Sequence, residues 1–134
     1  MINDFLACLS PGSTVYVAGS CAEPRGLIEL IDANSSSLKD LTFIQQPLGA
    51  VNQRDFSLLV ANSIQRSFFM APQLRTGLIE GRVEFVPKHM RAIFDYLRHV
   101  KLDVALLQAA RDQHGVLRYG PNLDYVDAVL ANAR

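Results

Sequence analysis

The chain reads as an α/β domain, a mostly parallel sheet flanked by helices. β-rich runs alternate with runs of helical period along its 134 residues, the pattern of strand–helix–strand units. Prolines and glycines stand where the helices should begin and end. The run at 104–109 is apolar enough to be buried on both faces, as a strand inside a parallel sheet must be.

The elements follow in order. A short β-rich strand is predicted over 13–17, behind the turn Pro11-Gly12. A helix follows over 24–34, with Pro24 in its first turn, where a missing N–H costs little. Leu27, Ile28, Leu30 and Ile31 form its apolar stripe, and Asn34 with three serines ends it. Residues 41–45 make the next strand. Residues 47–62 mix turn residues with a short apolar run and predict a loop holding one helical turn. A strand over 66–70 carries Phe68 and Phe69. Pro72 opens a helix bearing Leu74, Leu78 and Ile79, closed by Gly81. A strand over 83–86 stops at Pro87, and a helix over 90–100 presents Ile93, Phe94, Leu97 and Val100. The buried strand over 104–109 opens into the polar turn Asp112-Gln113-His114-Gly115, and a second turn, Tyr119-Gly120-Pro121, precedes a helix over 124–133. Its apolar face comprises Val126, Val129, Leu130 and Ala133.

Composition narrows the function. Apolar residues are 49% and charged ones 19%, which is globular rather than disordered. Lys plus Arg equals Asp plus Glu at 13 each, so no basic block argues for nucleic acid or a membrane surface. No apolar run reaches the roughly 18 residues that a spanning helix needs, and 1–10 makes a poor signal peptide. Cys8 and Cys21 form no ligand pattern. They read as free thiols of a reducing cytoplasm, a disulfide between them being the lesser alternative. No metal site is predicted.

Two constellations stand where chemistry would. Gly19, Ser20, Cys21, Ala22 and Glu23 link a strand end to a helix start, where backbone N–H groups suit an anion or a developing oxyanion. Neither the Gly-x-Gly-x-x-Gly spacing nor a Gly-Lys-Ser/Thr ending is present. The plain alternative is a tight connection chosen for packing, with Glu23 favoured by the helix dipole. Asp112, His114 and Gly115 form the second. His114 could exchange a proton near neutral pH, and the plain alternative is a polar turn in which Asp112 bonds its own backbone. A Cys21–His114 nucleophile pair is conceivable, although nothing in the sequence orients the histidine. His89 and His99 read as helix-surface residues. The glutamates are Glu23, Glu29, Glu80 and Glu84, and no carboxylate pair is evident among them.

Taken in order, several segments resemble the N-terminal domain of the acetyl-CoA hydrolase/transferase family, which includes the 4-hydroxybutyrate CoA-transferases. They are 15–24, 66–75, 81–87 and 102–108, then Asp112 to Gly115, and Gly120. The resemblance implies one half of a two-domain α/β fold with the active site between the halves. It implies ping-pong chemistry on acyl-CoA, in which a glutamate attacks the thioester to form an acyl anhydride and then a glutamyl-CoA thioester. That glutamate belongs to the C-terminal half, so no catalytic residue is expected in this chain. The 19–23 loop would help hold the thioester oxygen, although related loops are often richer in glycine. Asp112, His114 and Gly115 would lie near the domain junction. No covalently bound cofactor is implied. The CoA thioester is substrate, with a carboxylate acceptor or water as second reactant.

The final predicted helix has no strand after it, which suggests an N-terminal piece of a longer enzyme, inactive alone. Its implied partners are a missing C-terminal domain and, through an open apolar face, further copies of itself. The alternative is a complete, non-enzymatic small α/β module that binds a nucleotide-like ligand or a partner protein and leaves no apolar face open.

Overall fold

The length of each strand is set by its neighbours in the sheet. The computed structural model describes residues 2–120 and 122–133. Strands β1 (Thr14–Val17), β2 (Thr42–Gln45), β3 (Ile64–Ser67), β4 (Val83–Phe85) and β5 (Val104–Leu106) form one parallel sheet in the order β4-β3-β2-β1-β5. The chain steps outward from β1 to β4, then crosses back to lay β5 on the other side of β1. Tyr16 pairs with Ile44 on one side and Ala105 on the other.

Alternation sends Val15, Val17 and Phe43 to one face, where Ile28 and Ile31 of helix α2 (Arg25–Ala33) cover them. Tyr16 and Ile44 go to the opposite face, under Ile93 and Leu97 of α4 (Met90–Leu97) and Val129 of α5 (Val126–Leu130). A smaller cluster, Ala71, Leu74 and Val83, packs α3 (Arg75–Ile79) and the 3-10 turn before it against β4. Both sheet faces are therefore covered, which is why β1 is buried at every position. The N-terminal segment, read only as a poor signal peptide, forms α1 (Ile2–Ala7), whose Phe5 and Leu6 pack on the first cluster.

Several elements differ from the sequence reading. The strand read at 66–70 lies at Ile64–Ser67, in register with Thr42–Gln45. The chain leaves the sheet where β2 ends, Ser67 Oγ donates to the Phe69 carbonyl (2.7 Å), and Phe69 is left exposed. The strand read at 104–109 stops at Leu106, because its partner β1 stops at Val17. Ala109–Arg111 (β6) instead pairs antiparallel with Leu117–Tyr119 (β7), and both strands are exposed. The run is not buried on both faces either: β5 is the edge strand beside β1, Val104 and Ala105 are half-buried and Ala109 is exposed, so it does not open directly into the polar turn.

Helix α4 ends at Leu97 rather than 100. The Asn132 side-chain amide donates to the Leu97 and Val100 carbonyls at 2.8 and 2.6 Å, capping that end from another element. Helix α5 is shorter than 124–133, since Asp124 has φ +26°, and Leu130 is exposed. The apolar residues Leu78 and Ile79 of α3 are also exposed, Ile79 at 86%. The loop at 47–62 does hold one helical turn, Phe56–Leu58. Gly81 ends α3 with φ +75°. Of the turn at 119–121, Pro121 lies outside the described residues.

Candidate functional site

In an open parallel sheet, a crevice forms at the carboxyl ends of the strands where the chain reverses its direction of travel across the sheet. Here that point lies between β1 and β5, so the segments leaving those strands should meet. They do: the Gln108 side-chain amide, just past β5, donates to the Glu23 carbonyl (2.8 Å). Asn122 Nδ2 reaches the Gly19 carbonyl at 3.4 Å.

The 19–23 loop is built with little latitude. A Cβ on Gly19 would lie 2.0 Å from the Gln46 carbonyl oxygen, so only glycine fits between β1 and the segment leaving β2. Ser20 then takes a left-handed conformation, φ +56°. It is held there by Asn52, whose Oδ1 accepts from the Ser20 N–H (2.8 Å) and whose Nδ2 donates to the Ser20 carbonyl (3.1 Å). Residues 20–22 make a 3-10 turn, closed by the Ala22 N–H on the Gly19 carbonyl (3.1 Å). Among the described residues, the Cys21 N–H meets no acceptor.

Glu23 is more constrained than a helix-dipole carboxylate would be. Its Oε2 accepts from Asn52 Nδ2 and from Gln45 Nε2, the latter at 3.3 Å. Gln45 and Asn52 are buried, so a half-buried carboxylate is matched by neutral donors instead of a cation. Ser20, Cys21, Glu23, Arg25, Val51 and Gln108 line a cleft of about 350 Å³. A more apolar cavity of about 530 Å³ adjoins it, lined by Leu27, Leu107, Ala109, Ala110 and Gly120 among others. A third, of about 490 Å³, opens past Glu23 toward Arg25, Glu29 and Arg54.

Asp112, His114 and Gly115 sit elsewhere, at the exposed tip of the β6–β7 hairpin. Asp112 accepts from the His114 and Val116 N–H groups at 2.8 and 3.0 Å and from Arg118 Nε at 3.0 Å. These contacts, led by Arg118, hold its carboxyl below its ordinary range. Gly115 takes φ +77°. The plain reading of this turn, an aspartate bonding its own backbone, accounts for the His114 and Val116 contacts, and the Arg118 ion pair adds to them. Gln113 is the neighbour His114 meets, and among the described residues no contact joins His114 to Cys21. His89 and His99 are exposed at the two ends of α4.

Cys8 and Cys21 are both free and exposed. Glu29 is exposed on α2, while Glu80 and Glu84 pair with Arg82 and Arg66. Among the described residues no group of three His, Cys, Asp or Glu side chains could hold a metal ion, and no helix is long and apolar enough to cross a membrane. The sequence reading missed Asn52, Gln45 and Gln46 as parts of this site. The one signal available was a buried-looking strand ending in polar residues, Gln45-Gln46.

A family model described as acetyl-CoA hydrolase/transferase N-terminal domain matches residues 2–134. The chain belongs to the acetyl-CoA hydrolase/transferase family. No curated protein matches the sequence. Among solved structures, RipA from Yersinia pestis superposes with a TM-score of 0.79 at 19% identity, covering 100% of this chain and 34% of that one. A point mutant of RipA superposes equally well, with a TM-score of 0.79 at 20% identity, covering 99% of this chain and 33% of that one. At that identity the likeness concerns the fold alone, and this chain spans about a third of the length of those structures. The segments that carried the resemblance to the acetyl-CoA hydrolase/transferase family fall mostly on the sheet. They are β1 with its loop, the way out of β3 into α3, β4 with its flanks, and β5 as far as Gln108.

Proposed function

We propose that this chain is the thioester-binding N-terminal domain of an acyl-CoA transferase or hydrolase, and that a separate domain supplies the nucleophilic glutamate. The meeting of the 19–23 loop with Gln108 at the switch point carries this reading, because it leaves a cleft beside a backbone N–H, that of Cys21, with no acceptor of its own among the described residues. A donor fixed in advance stabilises the oxyanion that forms when a carboxylate adds to a thioester carbonyl. The adjoining apolar cavity suits an acyl chain or the arm of CoA.

The chemistry balances as ping-pong transfer. A glutamate carboxylate adds to the thioester carbonyl, the C–S bond breaks, and CoA thiolate leaves an acyl anhydride. The thiolate then attacks the glutamyl carbonyl and releases the acyl carboxylate, leaving a glutamyl-CoA thioester for a carboxylate acceptor or water. Three of this chain's four glutamates are already engaged: Glu23 is tied to two amides, and Glu80 and Glu84 to arginines. Asp112, His114 and Gly115, on an arm that leaves the domain, suit the junction with the second domain, which is also the partner that Val116, Leu117 and Tyr119 would meet.

Titration of the 134-residue chain with acetyl-CoA, followed by amide NMR, tests the site. Shifts confined to residues 19–23, Leu107 and Gln108, with no CoA transfer to acetate, are expected. Shifts only elsewhere would overturn the site, and robust transfer by the chain alone would overturn the missing nucleophile.

A further inference from the structure

We infer that Asn52 is the positioning residue of this site, setting the backbone of the 19–23 loop and the direction of the Glu23 carboxylate together. The inference rests on the reading of that loop as the thioester-holding element. Asn52 is 1% exposed and stands on the segment leaving β2, 32 positions from Ser20. Its amide meets Ser20 on both backbone groups, as a neighbouring strand would, while Nδ2 also reaches Glu23.

A serine does not hold φ +56° unaided. The loop's own hydrogen bond, from the Ala22 N–H to the Gly19 carbonyl, spans Ser20 and Cys21 and closes the turn without meeting either backbone polar group of Ser20. Asn52 can impose the conformation because it is itself held from other directions. Its N–H donates to the Leu48 carbonyl (2.8 Å), its Oδ1 accepts from the Leu48 N–H (2.9 Å), and its carbonyl accepts from Gln73 Nε2 (2.6 Å). The loops leaving β1, β2 and β3 are thus locked in series, and Asn52 is the link to the first. The consequence is a Cys21 N–H and a Glu23 carboxylate fixed before any ligand arrives, which is the condition for a donor to act without reorganising.

The test compares Asn52→Ala with Asn52→Asp in the 134-residue chain. An aspartate keeps the acceptor for Ser20 and Leu48, but it removes the donor and sets a second carboxylate against Glu23. In N52A, hydrogen exchange at the Ser20 N–H should rise by about tenfold or more, the loss of one hydrogen bond, while Val15 and Ile44 keep their protection. Acetyl-CoA-induced shifts at Cys21 should weaken with it. In N52D, Ser20 should stay protected while the Cys21 and Glu23 resonances move. If N52A fails to fold, N52D alone decides. Wild-type Ser20 exchange in N52A, or unmoved Cys21 and Glu23 signals in N52D, would overturn the role. Exchange needs no ligand, so a wild-type chain blind to acetyl-CoA would sink the thioester reading and leave the exchange result to judge Asn52 separately.

Discussion

Gly19 and Tyr125 show how single residues here answer to partners distant in sequence. A methyl group on Gly19 would strike a backbone oxygen, which cannot swing aside as a side chain could. Gly19→Ala should therefore destabilise the chain by roughly 1–3 kcal/mol, the usual range for overpacking, read from urea unfolding, and should abolish acetyl-CoA shifts at Cys21. Tyr125 donates its hydroxyl to Gln46 Oε1, and burial, with the nearby Asp124 charge second, pushes its pKa from 10.0 to about 12. Burial also raises Tyr16. The fold favours the neutral phenol, so this contribution is whole below pH 10 and drains away as pH rises toward 12. Urea midpoints should fall across that window, and Tyr125→Phe, which cannot ionise, should flatten the fall.

At the scale of elements, the β6–β7 hairpin is the part least supported by the rest of the domain. An isolated two-stranded hairpin is marginal in water, and every residue of both strands is exposed. Asp112 ties the tip, and its carboxyl is held below 3.8 by Arg118 first and then by the His114 and Val116 amides. A depressed carboxyl stabilises above its unfolded value and loses that contribution as pH falls through the folded one. The His114 and Val116 amide shifts should move to random-coil values below pH 3.8, before Val15 or Ile44 respond. Trypsin should cut first after Arg111 or Arg118, both exposed. Elements of this kind were only partly legible. Helix α2 was readable because Ile28 and Ile31 repeat at helical period. The strand signal of β3 falls two residues late, at 66–70, because Phe68 and Phe69 carry it while Gln65, Arg66 and Ser67 are polar. They are strand residues because they pair with β2 and β4 and several of their polar atoms find partners: Gln65 Oε1 accepts from the Phe56 N–H, and Arg66 pairs with Glu84 and Tyr96, although Gln65 Nε2 is buried without a partner among the described residues.

At the scale of the molecule, apolar side chains remain open at the hairpin and just after it: Val116, Leu117, Tyr119 and Leu123. On the proposed reading they are what the second domain would cover. Sedimentation of the 134-residue chain should show weak self-association that Leu117→Ser with Tyr119→Ser reduces. An unaltered monomer at all concentrations would favour the complete-module alternative. The α/β class, the order of most elements and the segments at the sheet's carboxyl edge were legible in the residues, because apolar periodicity and Pro/Gly punctuation are local signals. Tertiary structure alone decided where β5 stops, since a parallel strand extends only as far as its partner. It also decided that Asp112 and His114 stand on a hairpin away from Cys21, and that Asn52 belongs to the site. Asn52 reaches Ser20 across 32 residues, and no periodicity within either segment encodes a hydrogen bond that exists only once the sheet has brought the ends of β1 and β2 together.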